Sequence, residues 1–130
     1  MKKMMFVASL AVFAVAACTS GSSVDIQGGW ELVSYNQMPA VPDVETSIEF
    51  KDGQMSGNVG CNGFGGEYTV AGDTITFGSV MSTMMFCETV ADQESTTIAV
   101  LQGKSSFVLD GNMLTITSAD GSSSIVLERK

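Results

Sequence analysis

"GNVGCNGFGGEYTV", Gly57–Val70, crowds five glycines around one cysteine and then runs into residues of strand type. Such a stretch can cradle a phosphate, carry a reactive thiol, or turn the chain hard inside a β-protein. A P-loop needs Lys followed by Ser or Thr after its last glycine, and the dinucleotide fingerprint needs a helix to follow. Here Glu67 and an alternating run follow, so an anion would meet neither a lysine nor a helix N-terminus. A nucleophilic thiol needs a neighbouring base or cation. The chain has no histidine, and Cys61 and Cys87 stand next to Asn62, Phe86 and Glu88. A carboxylate beside a thiol raises its pKa rather than lowering it. The thioredoxin pattern Cys-x-x-Cys is also missing. A turn is what remains.

Outward from that stretch, period-two alternation dominates. Trp30 and Leu32 lead into "VSY" as a first strand, and Pro39 and Pro42, the only two prolines, mark the loop through "NQMPAVPDVE". Ile48 and Phe50 alternate in "SIEFK", and Met55, Gly57 and Val59 alternate after Asp52-Gly53. An Asp-Gly pair between two such runs predicts a hairpin with a type I′ turn, because both central residues need φ > 0. "YTVAGDTITF" from Tyr68 and "FVLDGNMLTI" from Phe107 repeat one pattern at an offset of 39 residues. Tyr68 matches Phe107, Val70 matches Leu109, Gly72 matches Gly111 and Ile75 matches Leu114. A duplication and two hairpins under the same turn chemistry both account for it. "SIVLER" from Ser124 brings the expected strands to about eight.

One segment breaks the alternation. "ETVADQESTTIAVLQG", Glu88–Gly103, has no glycine or proline until its end. Val90, Ala91, Ile98 and Leu101 fall near one helical face, and Thr89 with Asp92 is spaced as a capping box. Gly103 suits the left-handed position after a helix, with Lys104 beside the negative end. Thr96, Thr97, Ile98 and Val100 are poor helix formers and argue the other way. The expectation is a mainly β (α+β) fold: a small antiparallel eight-stranded barrel-like sheet with one helix between strands 5 and 6.

The N-terminus reads as a processing segment. Lys2 and Lys3 precede an apolar run, Met4–Ala14, that is short for a bilayer span, and "VAAC" puts small residues directly before Cys18. That order resembles a bacterial lipobox, in which the cysteine is lipidated and becomes the mature N-terminus; an ordinary signal peptide with a chance cysteine is the plainer alternative. The division expected is 1–17 signal peptide, 18–25 flexible Ser/Gly tether and 26–130 folded domain. A chain beginning at Cys18 has 113 residues, enough for one core, and four Lys/Arg against fourteen Asp/Glu take its net charge from −8 to −10. No basic patch exists to bind nucleic acid. With Cys18 assigned to lipid, Cys61 and Cys87 remain, and an even pair outside the cytoplasm favours a disulfide. The 27-residue loop it would close stabilises by about 3 kcal/mol in the chain-entropy model.

Other chemistry lacks parts. Zinc is poorly served by two sulfurs without histidine, EF-hand spacing is absent, and fourteen scattered acids point to no particular pair. No catalytic residue, cofactor or metal is assigned. "MSTMMF", Met81–Phe86, is the second unusual stretch. Met81, Met84, Met85 and Phe86 either fill core behind a Cys61–Cys87 bridge or form the soft wall of a ligand cavity or partner surface.

Taken in order, these landmarks resemble the META domain (HslJ-like) family. Gly29-Trp30 with Leu32, Gly60-Cys61-Asn62 followed by Gly66 and Tyr68, and "STMMFC" before the helix carry the likeness, which runs from about Ile26 to Arg129. Phe86 departs from it, standing where a small residue is usual. The resemblance implies a small antiparallel barrel crossed by one helix, with the glycine corner bringing Cys61 toward Cys87. It brings no catalytic residues. It implies an association with envelope stress, motility or secretion. Joined to the lipobox-like segment, it gives the expectation of a lipid-anchored, non-enzymatic cell-envelope domain acting in protein interaction or envelope stress. Thr19 after Cys18 lacks the aspartate of inner-membrane retention, which points to the outer membrane side. The expected partners are the membrane, through the N-terminal lipid, and an envelope protein. An apolar ligand carried inside the barrel is the alternative.

Overall fold

Residues 24–130 are described by the computed structural model; Cys18, the signal segment and the first residues of the tether lie outside the described residues. Trp30 and Leu32 point inward from strand β1 (Gly28–Tyr35), and a bulge between Leu32 and Ser34 then shifts the inward position to Tyr35. After the turn at Asn36-Gln37 comes a two-residue strand, β2 (Met38–Pro39), which pairs back onto β1. The hairpin of β3 (Ser47–Lys51) and β4 (Gln54–Asn58) turns at Asp52-Gly53, with φ of +49° and +78°, as the type I′ expectation requires. β5 (Gly63–Ala71) and β6 (Thr74–Phe77) form the next hairpin, and β7 (Met81–Ser82) lies against the first part of β5. A single 3₁₀ turn, Glu88–Val90, leads into helix α1 (Ala91–Val100), and β8 (Gly103–Asp110), β9 (Met113–Thr117) and β10 (Ser124–Arg129) complete the chain.

Eight of these strands close an antiparallel barrel in the order β1-β3-β4-β5-β6-β8-β9-β10, with β10 returning to β1. The helix lies between β7 and β8, not between the fifth and sixth strands of the chain. The difference comes from β2 and β7, which are two residues long and too short to leave an alternating pattern. The two hairpins matched at the sequence level do share a register. Tyr68 faces Phe77 as Phe107 faces Ile116, and Val70 faces Ile75 as Leu109 faces Leu114.

The interior is filled by side chains, as expected for eight strands. Trp30, Ile48, Phe50, Met55, Ile75, Leu114, Ile116, Ile125 and Leu127 are fully buried there, with Phe50 set edge-on to Tyr68 at 5.0 Å between ring centres. Burial pushes the Tyr68 phenol above its ordinary pKa. At the end where the chain enters, Trp30 donates its ring N–H to the Ile26 carbonyl at 2.9 Å. Arg129 lies over the same ring, 4.3 Å from its centre, and donates to the carbonyls of Gln27 and Asp25. The turn before β10 is fixed by Asp120: the Ser122 amide, then the Ser122 and Ser118 hydroxyls, bond its carboxylate and hold its pKa at about 2.

Candidate functional site

Poor helix formers make α1 depend on what it packs against, since ten residues are too few to hold a helix in water alone. Its buried face is Val90, Gln93, Glu94, Thr97, Val100 and Leu101. Two of the expected face residues, Val90 and Leu101, lie there, whereas Ala91 and Ile98 are only half-buried. The expected capping box does not form: Thr89 sits within the 3₁₀ turn, and no side chain caps either helical start. Gly103 does adopt a left-handed φ of +59°.

What holds the helix is the glycine corner. Gly60 has φ +144°, and a Cβ there would fall 2.8 Å from a methyl of Val90, so only glycine lets the β4–β5 loop press onto the helix start. Cys61 is bonded to Cys87, with Cα atoms 6.2 Å apart. The Cys61 and Asn62 amides both donate to Glu94 Oε1, the first at 2.8 Å. Asn62 Nδ2 donates to Glu94 Oε2 at 2.9 Å and to the Met85 carbonyl at 2.8 Å. Asn62 Oδ1 accepts from the Met85 amide at 2.8 Å and the Thr83 hydroxyl at 2.9 Å. Beside them Gln93 donates to the Val59 carbonyl at 2.7 Å and accepts from the Val41 amide at 2.8 Å. The hydrogen-bonding groups of the corner are thus spent on joining the loop, the strap and the helix. Both Glu94 oxygens are occupied, the two sulfurs are bonded to each other, and among the described residues no three His, Cys, Asp or Glu side chains gather to hold a metal.

Residues Met81–Phe86 form a strap across the outside of the barrel. Asn62 grips its backbone, yet Met81 is 79 % exposed, Met84 93 %, Met85 61 % and Phe86 82 %. Core filling behind the disulfide is thus wrong, and the four side chains lie outside the barrel, where Met84, Met85 and Phe86 line a surface depression. The polar backbone of the strap is what faces inward, onto Asn62, and this turns the large side chains out. The strap borders surface depressions on three sides. One of ≈ 620 Å³ runs between Val80–Cys87 and the helix residues Ala91, Ser95 and Ile98. The others lie beside Met81, against the outer surface of β3–β5.

Residues 23–130 are matched by the family model described as the META domain. The chain belongs to the META domain family. No curated protein matches it. Among solved structures, a protein known from an NMR structure is similar at 23 % identity and TM-score 0.65, covering 78 % of this chain and 88 % of its own. A second NMR structure, from Burkholderia xenovorans, has 20 % identity and TM-score 0.62 over 80 % of this chain and 82 % of that one. A crystal structure of a duf4847 family protein from Bacteroides vulgatus has 18 % identity and TM-score 0.57, over 80 % and 93 %. At these identities the likeness establishes the barrel fold. Within this META domain, Gln93, Glu94 and Thr97 went unread from sequence because a polar helix face looks solvated. Their spacing in phase with Val90 and Leu101 was the available signal.

Proposed function

We propose that this META domain is a lipid-anchored, non-enzymatic cell-envelope module that binds another envelope protein through the Met81–Phe86 strap. The observation that carries the reading is the pairing of a pinned backbone with four large, exposed apolar side chains. A loop merely left over between elements has no reason to be held so firmly while presenting such side chains. Single exposed apolar residues are ordinary, but a contiguous set marks an interaction surface. The lipobox-like "VAAC" supports the anchor and the location outside the cytoplasm. The carrier alternative is disfavoured because core side chains occupy the barrel interior.

In cells, a photo-crosslinking amino acid at Met84 gives one discrete protein adduct, the same group at Val108 gives none, and labelled palmitate enters the protein but not the Cys18→Ser variant. Val108 is the control because it is 66 % exposed on β8, away from the strap. Equal adducts at both positions, or no acyl label, would overturn the reading.

A further inference from the structure

We propose that the occupant of the strap is a cationic amphipathic segment of the partner, with its apolar side chains on the methionines and its lysines or arginines on the carboxylates around them. This rests on the strap being an interaction surface and adds the chemistry of what it takes. The three depressions beside the strap include Glu49, Glu67 and Glu94 among their lining residues, and no lysine or arginine lines any of them. Glu94 is buried and bonded, but Glu49 and Glu67 are exposed, and exposed Glu88 and Asp92 follow the strap. None of the four described cations lines a depression. Lys51 stands two residues from Glu49 on the same outward face of β3, Lys130 bonds Gly29 opposite Glu49, Lys104 follows the helix end, and Arg129 lies over Trp30. The depressions beside the apolar ridge are thus lined by carboxylates and by no cation, with exposed Glu88 and Asp92 on its helix side.

These carboxylates select among occupants. Anionic lipid headgroups are repelled by them. A second copy docking strap to strap would set the same carboxylates against one another, which is costly for like charges. A cationic segment meets opposite charge on both sides of the ridge. Methionine suits such a partner because its unbranched thioether adapts to side chains of different shape. Exposed ion pairs contribute little individually, so apolar contact supplies the affinity, and the carboxylates supply selection and association rate.

Residues 24–130 contain every strand of the closed barrel and its core, so this domain is the material for the test. The probe is a fluorescein-labelled, helix-patterned Leu/Lys peptide read by anisotropy, with a Leu/Glu peptide of the same pattern and a scrambled Leu/Lys peptide as controls. The expected result is saturable binding of the patterned Leu/Lys peptide only. It weakens roughly tenfold or more in Met84→Ser/Met85→Ser/Phe86→Ser, as truncated interface anchors do, and weakens in Glu49→Gln/Glu67→Gln and at high salt. Unchanged Trp30 emission establishes that these surface variants remain folded. Equal binding of the Leu/Glu or scrambled peptide, or of the Ser variant, overturns the proposal. So does strap-dependent binding to phosphatidylglycerol vesicles, or strap-dependent dimerisation in sedimentation. A Met84 adduct in cells without peptide binding overturns the cationic partner alone, whereas loss of both removes the docking surface as well.

Discussion

Asn62 has four hydrogen-bonding positions on its side-chain amide, and all four are filled: two donors to Met85 and Glu94, two acceptor positions from Met85 and Thr83. Replacing it by alanine orphans both the strap backbone and one oxygen of a buried carboxylate. Bonds to charged groups are worth about 1.5–3 kcal/mol each, and orphaned buried partners cost about as much again. Asn62→Ala and Glu94→Ala are each expected to lower stability by about 2–4 kcal/mol in urea unfolding followed by Trp30 emission. Because they share one network, the double variant should fall short of the summed losses by about 0.5–3 kcal/mol. Strict additivity would mean that the two residues act separately.

At the scale of elements, the helix is tied to the glycine corner three ways: by the Cys61–Cys87 bond, by Glu94 and by Gln93. Serine at both cysteines therefore removes one tie of three. The expected cost is about 2–4 kcal/mol from the freed unfolded chain, with far-ultraviolet dichroism and strap accessibility to limited proteolysis unchanged in the folded state. A strap that becomes cleavable would show that the sulfurs, not Asn62, hold it. This arrangement also explains what could be read in advance. The barrel strands were legible because inward residues such as Ile48/Phe50 and Leu114/Ile116 alternate with exposed or half-buried ones. The disulfide was legible with Cys18 set aside, since Cys61 and Cys87 then remain as a pair. β2 and β7 were not, since two residues make no period. For the strap the sequence leaves core filling and a ligand or partner surface both open, although methionine and phenylalanine usually mean burial. Its exposure follows from backbone bonds to Asn62, and no composition rule records those.

For the whole molecule, the decisive contact joins the two ends of the described chain. β10 pairs β1 from Trp30–Arg129 to Tyr35–Ile125, which leaves the barrel without an open seam. Removing Ser124–Lys130 would take Ile125 and Leu127, both fully buried, out of the core. At about 1.5–3 kcal/mol for each aliphatic side chain, that alone is about 3–6 kcal/mol. It also bares β1 and β9 as edges and strips Arg129 from the Trp30 ring. Domains of this size have only about 5–15 kcal/mol of stability in total. The chain ending at Ser123 is therefore expected to be unfolded or aggregated, with red-shifted emission from Trp30, the single tryptophan. Arg129→Ala is the control: it loses the cation–π contact, worth about 0.5–2 kcal/mol, yet keeps the closing ladder and should unfold cooperatively at a lower urea midpoint. If the shortened chain keeps blue-shifted emission and a cooperative transition, the helix-bearing half of the sheet is stable by itself and closure through β10 is not what holds Trp30 in place.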